Sequence, residues 1–287
     1  MLSQKKAIEA AVIGCPISHS LSPKIHNFLL QKHQISGIYK SLEVKESDLE
    51  NFIDLAKKND LAGFNITIPH KEKIFKICDF KSKTASLTGA VNTVFITPDK
   101  KLFGHNSDAE GFLNNLKNSC SDFDLKNKTV FLIGAGGAAR AIVYALIKSG
   151  VKTIFIRNKN QLRAEELIKN FANFSSKKNC EIKFLESENF AKNLNCCDLL
   201  INSTSLGMQG QESLKIDLKN LNSTAIVYDI VYKPLITELL KTSQSRGNKI
   251  ITGIGMLVFQ ALIGFEMWFG QKPDEKFVQE LLKKRRF

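Results

Sequence analysis

The chain has 287 residues with 41 Lys and Arg against 28 Asp and Glu, a formal charge of +13, and is 43% hydrophobic and 24% charged. That composition excludes a disordered chain, and no apolar run approaches the roughly 18–20 residues that cross a bilayer. The length suits two domains at about 150 residues each. Residues 1–9 carry no apolar signal-peptide core. Six cysteines without a CxxC pair form neither a disulfide framework nor a zinc site, and five histidines show no ligand spacing, so no metal is expected. The adjacent Cys196 and Cys197 read as core, and a reducing cytoplasm is the expected compartment. The positive charge invites a nucleic-acid reading, but its excess is spread, +5 over residues 1–107, +6 over 108–253 and +2 over 254–287. Only the tail, 283–286, is a basic cluster, so a solvated lysine-rich surface is expected, with no nucleic-acid partner.

In chain order, a strand is predicted over 10–13, a helix over 23–32, a strand over 39–44, a helix over 48–58 and a strand over 63–68. Ser22 is the expected N-cap of the first helix, with Pro23 at its first position. Residues 91–97 and 101–103 read as a hairpin around Pro98-Asp99. A β-rich run at 129–133 then enters a Gly-rich turn at 134–137 and a helix over 138–149. That helix carries Ile142, Val143, Leu146 and Ile147 on one face and is closed by Gly150. A strand at 153–156, a helix at 162–171 and strands at 182–185, 198–201 and 225–230 follow. Helices at 256–269 and 274–284 end the chain. Strands alternating with helices predict an α/β protein with a parallel sheet covered on both faces. The late onset of the Gly-rich unit predicts an insertion: one domain from 1–107 plus 254–287, completed by the C-terminal helices, and a second over 108–253.

Gly134-Ala135-Gly136-Gly137-Ala138-Ala139 lies between a strand and a helix, which turns a weak pattern into a usable dinucleotide fingerprint. The first glycine permits the tight turn, and the second lets backbone approach a diphosphate at the helix start. Ala139 stands at the third glycine position and is small enough for close helix–sheet packing. An NAD site places Asp or Glu after the second strand to hold the ribose hydroxyls. Here that strand ends in Arg157-Asn158-Lys159-Asn160, with no acid before Glu165. Cations and amides suit a 2′-phosphate, so the expected cofactor is NADP.

Two further segments are more polar than a core edge requires. In the first, which begins at Gly14 and continues to His26-Asn27, Ser18 and Ser20 lie two residues apart, so their hydroxyls face one side of an extended loop. In the second, Asn65-Ile66-Thr67-Ile68-Pro69-His70-Lys71, alternation sends Ile66 and Ile68 one way and Asn65 and Thr67 the other, towards the same cavity as the serines. Lys71 falls in the first turn of a helix, where the dipole disfavours a cation. Downstream, Asn92-Thr93 and Asn106-Ser107-Asp108 add an amide and a carboxylate.

These three segments, in this order before the Gly-rich turn, resemble the shikimate dehydrogenase family. The resemblance continues through Asn202-Ser203-Thr204-Ser205-Leu206-Gly207, Tyr228-Asp229-Ile230-Val231-Tyr232 and Gly253-Ile254-Gly255-Met256 to Gln260-Ala261, so that it spans residues 12–275. It implies an N-terminal α/β substrate domain with an inserted Rossmann domain, and an NADP-dependent interconversion of 3-dehydroshikimate and shikimate in aromatic amino acid biosynthesis. On the family pattern Ser18 and Ser20 bind the substrate carboxylate, and Thr67, Asn92, Asp108 and Gln260 the ring hydroxyls, with Tyr232 nearby. Lys71 and Asp108 are the implied catalytic pair. Gly134, Ala135, Gly136, Gly137, Ala138, Asn158, Lys159, Asn160, Thr204, Gly253 and Met256 line the implied cofactor site.

The chemistry makes independent sense of that pair. Hydride delivery to a ketone builds negative charge on its oxygen, which a lysine ammonium relieves by charge and by proton, while an aspartate orients the ammonium. One departure stands out: NADP-selective members commonly carry Asn-Arg-Thr where this chain has Asn158-Lys159-Asn160. Lys keeps the charge without the bidentate geometry, so a weaker NADP preference is expected. A quinate/shikimate dehydrogenase using NAD or NADP, and a non-catalytic NADP-sensing protein on the same fold, are the alternatives. The partner is a small molecule, and either a monomer or a homodimer fits.

Overall fold

The computed structural model describes residues 7–283, so most of the basic tail predicted at 283–286 lies outside the described residues. Those residues form two compact units, one reaching Gly111 and resuming at Leu257, the other Phe112–Met256.

The first unit opens with β1 (Ile8–Gly14), α1 (Ser22–Lys32), β2 (Gly37–Glu43), α2 (Leu49–Lys58) and β3 (Gly63–Ile66). It continues through α3 (Lys71–Ile77), β4 (Phe80–Lys81), α4 (Lys83–Thr88), β5 (Thr93–Ile96) and β6 (Leu102–His105), and Asp108 starts α5 (Asp108–Ser119). Six strands form one sheet in the order β2-β1-β3-β5-β6-β4. β1 pairs in parallel with both β2 and β3, whereas β5 is antiparallel to β3 and β6. The first sheet is therefore mixed, because a short hairpin cannot make the crossover that parallel strands need.

Alternation along β1 explains the layering. Ala10 and Val12 face one core with Ile25 and Leu29 of α1, and Ala11 and Ile13 face another with Leu49 and Ile53 of α2 and Ile74 of α3. The first of these cores is closed by α10 (Ile254–Phe269), whose Val258, Ala261, Phe265 and Trp268 recur at helical spacing. Trp268 also donates its indole N–H to the Val94 carbonyl at 2.9 Å. Val278 and Leu281 of α11 (Glu275–Lys283) join the same core.

Two local expectations fail here. Helix α1 begins at Ser22 with Leu21 at its cap, and the Ser20 hydroxyl, not that of Ser22, accepts the free Ser22 N–H at 3.3 Å. β3 ends at Ile66, and the turn containing Pro69 breaks the alternation, so Ile68 is 65% exposed instead of joining Ile66 in the core.

The second unit holds β7 (Thr129–Ile133), α6 (Gly137–Lys148), β8 (Thr153–Arg157), α7 (Gln161–Ser176), β9 (Glu181–Phe184) and α8 (Ser187–Lys192). β10 (Leu199–Asn202), β11 (Ile226–Asp229), α9 (Glu238–Ser245) and β12 (Lys249–Ile251) complete it. Its strands are all parallel in the order β12-β11-β10-β7-β8-β9, a doubly wound sheet whose chain reverses direction between β7 and β10. β7 is buried at four of its five positions, as a strand covered on both faces must be. Cys197 is buried, but Cys196 ends a short 3-10 turn and is exposed, so only one of the adjacent cysteines is core.

Candidate active site

In the first unit, the chain leaves β1 towards β2 on one side while β3 lies on the other, which makes the carboxyl ends of β1 and β3 a switch point of that sheet. The loop after β1 carries Ser18, exposed, and Ser20, half-buried. Thr67 follows β3, where its backbone N–H bonds the Ile13 carbonyl at 2.9 Å and ties the turn to β1. Pairing of β3, β5 and β6 sets Asn65 beside Thr93 and Thr93 beside His105, so the next residues on each strand gather at that same end.

There Lys71 Nζ meets Asp108 Oδ2 at 2.5 Å, with the two side chains only 17% and 9% exposed. Lys71 opens α3 and Asp108 opens α5. The carboxylate at the α5 N-terminus is favoured by the helix dipole, and it offsets the unfavourable placement of the lysine. The second oxygen, Asp108 Oδ1, accepts from Asn92 Nδ2 at 2.8 Å. Asn92 is almost wholly buried, and its amide oxygen accepts from Ser107 N at 2.8 Å and from the Thr93 hydroxyl at 2.9 Å. Gln260, on α10, lies within 3.5 Å of the Ser107 hydroxyl and donates to the Leu257 carbonyl. Asn65 does not face outward with Thr67: it is 4% exposed and turned inward to Tyr39.

The polar array thus includes Thr93, Ser107 and Tyr39, which the sequence did not single out. The runs Asn92-Thr93 and Asn106-Ser107-Asp108 signal two of them, since paired polar residues at strand ends are unusual in a core. Tyr39 carries no such signal.

In the second unit, the turn after β7 adopts the fingerprint geometry. Gly134 has φ of +114°, and a Cβ there would stand 2.5 Å from the Ser203 hydroxyl. Gly136 is extended and caps α6 without a side-chain bond, and a Cβ there would meet nothing within 4 Å. The space in front of Gly136 is what a diphosphate approaching the backbone needs. The first N–H groups of the twelve-residue α6 have no intrahelical partner, and no acid lies in its first turn. These residues fit a dinucleotide.

Across the switch point, Asn202 at the end of β10 accepts from the N–H and hydroxyl of Thr204 and donates to Asp229, fixing the loop that carries Thr204. Burial raises the Asp229 carboxyl above the usual range, opposed by N–H and hydroxyl donors from Val231, Thr237 and Asn202. Tyr232 is half-buried after β11, and burial pushes its phenol up. Gly253 is tied to the Val231 carbonyl, and Met256 is buried.

At the end of β8, Asn158 donates to the Asn160 carbonyl at 2.7 Å, and Asn160 Oδ1 caps α7 by accepting from Arg163 N at 3.2 Å. Two of the three residues expected at a 2′-phosphate therefore also shape the backbone there, and Lys159 supplies the exposed cation. Arg157 is half-buried, and desolvation lowers its guanidinium from the ordinary value.

Three family models match the chain: the shikimate dehydrogenase substrate binding domain over residues 12–94, the shikimate/quinate 5-dehydrogenase domain over 116–231, and the shikimate 5′-dehydrogenase C-terminal domain over 253–283. A shikimate dehydrogenase (NADP+) of Paramagnetospirillum magneticum is 42% identical over 94% of this chain and 95% of its own. Among solved structures, the shikimate 5-dehydrogenase of Thermus thermophilus in complex with NADP(H) and shikimate superposes with a TM-score of 0.83 at 30% identity, covering 97% of this chain and all of that one. The quinate dehydrogenase of Corynebacterium glutamicum in complex with NAD gives 0.87 at 27% identity, covering 97% and 99%.

Proposed function

The chain belongs to the shikimate dehydrogenase family, and we propose that it interconverts 3-dehydroshikimate and shikimate with NADP(H), Lys71 and Asp108 being the reacting pair. The reaction is a step of aromatic amino acid biosynthesis. The observation that carries the residue assignment is the half-enclosed Lys71–Asp108 ion pair, whose carboxylate is held on its other oxygen by Asn92.

NADPH, when bound, supplies the hydride that reaches the ketone carbon. Charge then builds on the ketone oxygen, and a positioned cation beside it lowers the barrier. Lys71 Nζ takes that place and passes a proton to the oxygen, while Asp108 Oδ2 fixes the direction of the ammonium. In the reverse direction the amine accepts the hydroxyl proton and Asp108 balances the charge that results. Ser18 and Ser20 hold the ring carboxylate, and Thr67, Asn92 and Gln260 take the ring hydroxyls. The unit that reaches Gly111 and resumes at Leu257 is then the substrate domain, and Phe112–Met256 the cofactor domain. In the latter, Gly134 to Ala138 with Thr204 would hold the diphosphate, and Asn158, Lys159 and Asn160 the 2′-phosphate.

All six cysteines are free, in keeping with a reducing cytoplasm, and no described helix is long and apolar enough to cross a membrane. The enzyme works as a monomer or homodimer on a small-molecule substrate, without nucleic acid. The test is direct: shikimate with NADP+ generates reduced-nicotinamide absorbance. Faster turnover with quinate and NAD+ would move the assignment to a quinate dehydrogenase, and no turnover with any pair would leave only a sensing role.

A further inference from the structure

The pair Lys71–Asp108 ends a directional run of buried hydrogen bonds that begins at Tyr39 on β2. The Tyr39 hydroxyl donates to Asn65 Oδ1 at 2.6 Å. With its oxygen so engaged, Asn65 turns its amide nitrogen to the Asn92 carbonyl and the Thr93 hydroxyl, both at 3.1 Å. The Thr93 hydroxyl, having received that N–H, donates its own hydrogen to Asn92 Oδ1 at 2.9 Å. Together with the Ser107 N–H on the same oxygen, this commits Asn92 to presenting N–H, not C=O, to Asp108 Oδ1. An amide rotated by half a turn would place its oxygen against the carboxylate, and two facing acceptors repel.

Tyr39 is itself held on two sides by the His26-Asn27 pair of α1, a motif the catalytic assignment does not use. Asn27 donates to the Tyr39 carbonyl and accepts from its N–H, both at 2.9 Å, which occupies the edge of β2 that no described strand pairs. The His26 ring stacks on the Tyr39 ring at 3.9 Å between centroids and 11° between planes. Tyr39 is 1% exposed and distant in sequence from every residue of the reacting pair, so a purely apolar Phe would fill the same volume. Its donated hydrogen bond is what distinguishes this buried hydroxyl from Phe.

We propose that Tyr39, Asn65 and Thr93 are positioning residues: their hydrogen bonds orient the Asn92 amide, which holds Asp108 in the rotamer that aims Lys71 at the substrate. The proposal rests on the assignment of Lys71 and Asp108 as the reacting pair. It predicts effects on turnover more than on substrate binding, because the run touches the carboxylate that orients the proton donor. The positioning residues also act as one unit, so their losses do not add.

The experiment measures kcat and KM for shikimate oxidation in the full-length Tyr39→Phe, Thr93→Val and Thr93→Ser variants, the Tyr39→Phe/Thr93→Val double variant, and Asp108→Asn. Each of the first two is expected to lower kcat about tenfold with KM changed less than about twofold, and the double variant to fall little further. Thr93→Ser, which keeps the hydroxyl, is expected to restore most of the rate. If Tyr39→Phe does not fold, the Thr93→Val and Thr93→Ser pair decides alone. Turnover within twofold of wild type in Thr93→Val, or an equal loss in Thr93→Ser, would overturn the proposal while a dead Asp108→Asn kept the reacting pair intact. Normal turnover in Asp108→Asn would instead remove the reacting pair, and the positioning proposal with it.

Discussion

Lys71 and Asp108 stand 37 residues apart in the chain and 2.5 Å apart in space. Each opens a helix, and the strands that precede those helices, β3 and β6, are joined through β5, which pairs with both. Sheet pairing therefore delivers the two side chains to one another, and the acid offsets the dipole penalty on the base.

If this pair carries the chemistry, Lys71→Ala should lower turnover by about 100-fold or more while leaving KM for shikimate comparatively unchanged. Steady-state rates measured by nicotinamide absorbance decide it. A near-normal kcat would take Lys71 out of the mechanism.

The two fingerprint glycines should fail in different ways. A side chain at Gly136 enters open space, so Gly136→Val is expected to keep its thermal midpoint while cofactor KM rises about tenfold or more. Gly134→Ala meets Ser203 in a left-handed backbone, so its midpoint should fall by several degrees for a cost of about 2 kcal/mol. Calorimetry beside cofactor titration separates these results, and a reversed pattern would refute the reading of the turn.

Cofactor choice should depend on Lys159 more than on its neighbours. Losing one charged phosphate contact costs about 1.5–3 kcal/mol, so Lys159→Ala should lower kcat/KM for NADP by at least about tenfold and leave NAD nearly unaffected. Asn160→Ala removes the α7 cap and should cost about 1 kcal/mol of stability. Equal losses for both cofactors in Lys159→Ala would show that the lysine does not read the 2′-phosphate.

His26 predicts acid sensitivity. Burial pushes its imidazole from 6.5 down to about 3, with the neighbouring Asn65 opposing only in part. The unfolded chain binds a proton below about pH 6.5 that the folded chain refuses until about pH 3. The stability from a neutral His26 is therefore complete above pH 6.5 and is lost progressively as pH falls towards 3, at up to about 1.4 kcal/mol per pH unit. His26→Phe keeps an aromatic ring against Tyr39, so its urea-derived stability should depend less steeply on pH over that interval. Parallel curves for the two proteins would refute the linkage.

Much of this arrangement was legible along the chain. The Gly-rich turn between a β run and an apolar-faced helix needs only local spacing to be read, and β7 starts and stops at the residues its composition indicates. The return of residues 256–269 to the first unit was legible from the late start of that turn. Two readings of the alternation failed, one for a local reason and one through a distant partner. Ile68 reads as a fourth alternating position, yet Pro69 ends the pattern and leaves it exposed. Asn65 reads as a cavity residue, yet the Tyr39 hydroxyl, 26 residues away, captures its amide.

Residue order alone determined the two-part α/β organisation and the dinucleotide turn, because periodicity and glycine placement are local properties, whereas the pairing of Lys71 with Asp108 was implied only by the family resemblance. Only the tertiary structure decided that Asn92 bonds Ser107, Thr93 and Asp108, and that Tyr39 stands at the head of that run. A hydrogen bond requires about 3 Å and a direction. The chain meets both conditions between residues tens of positions apart only after its strands have chosen their neighbours.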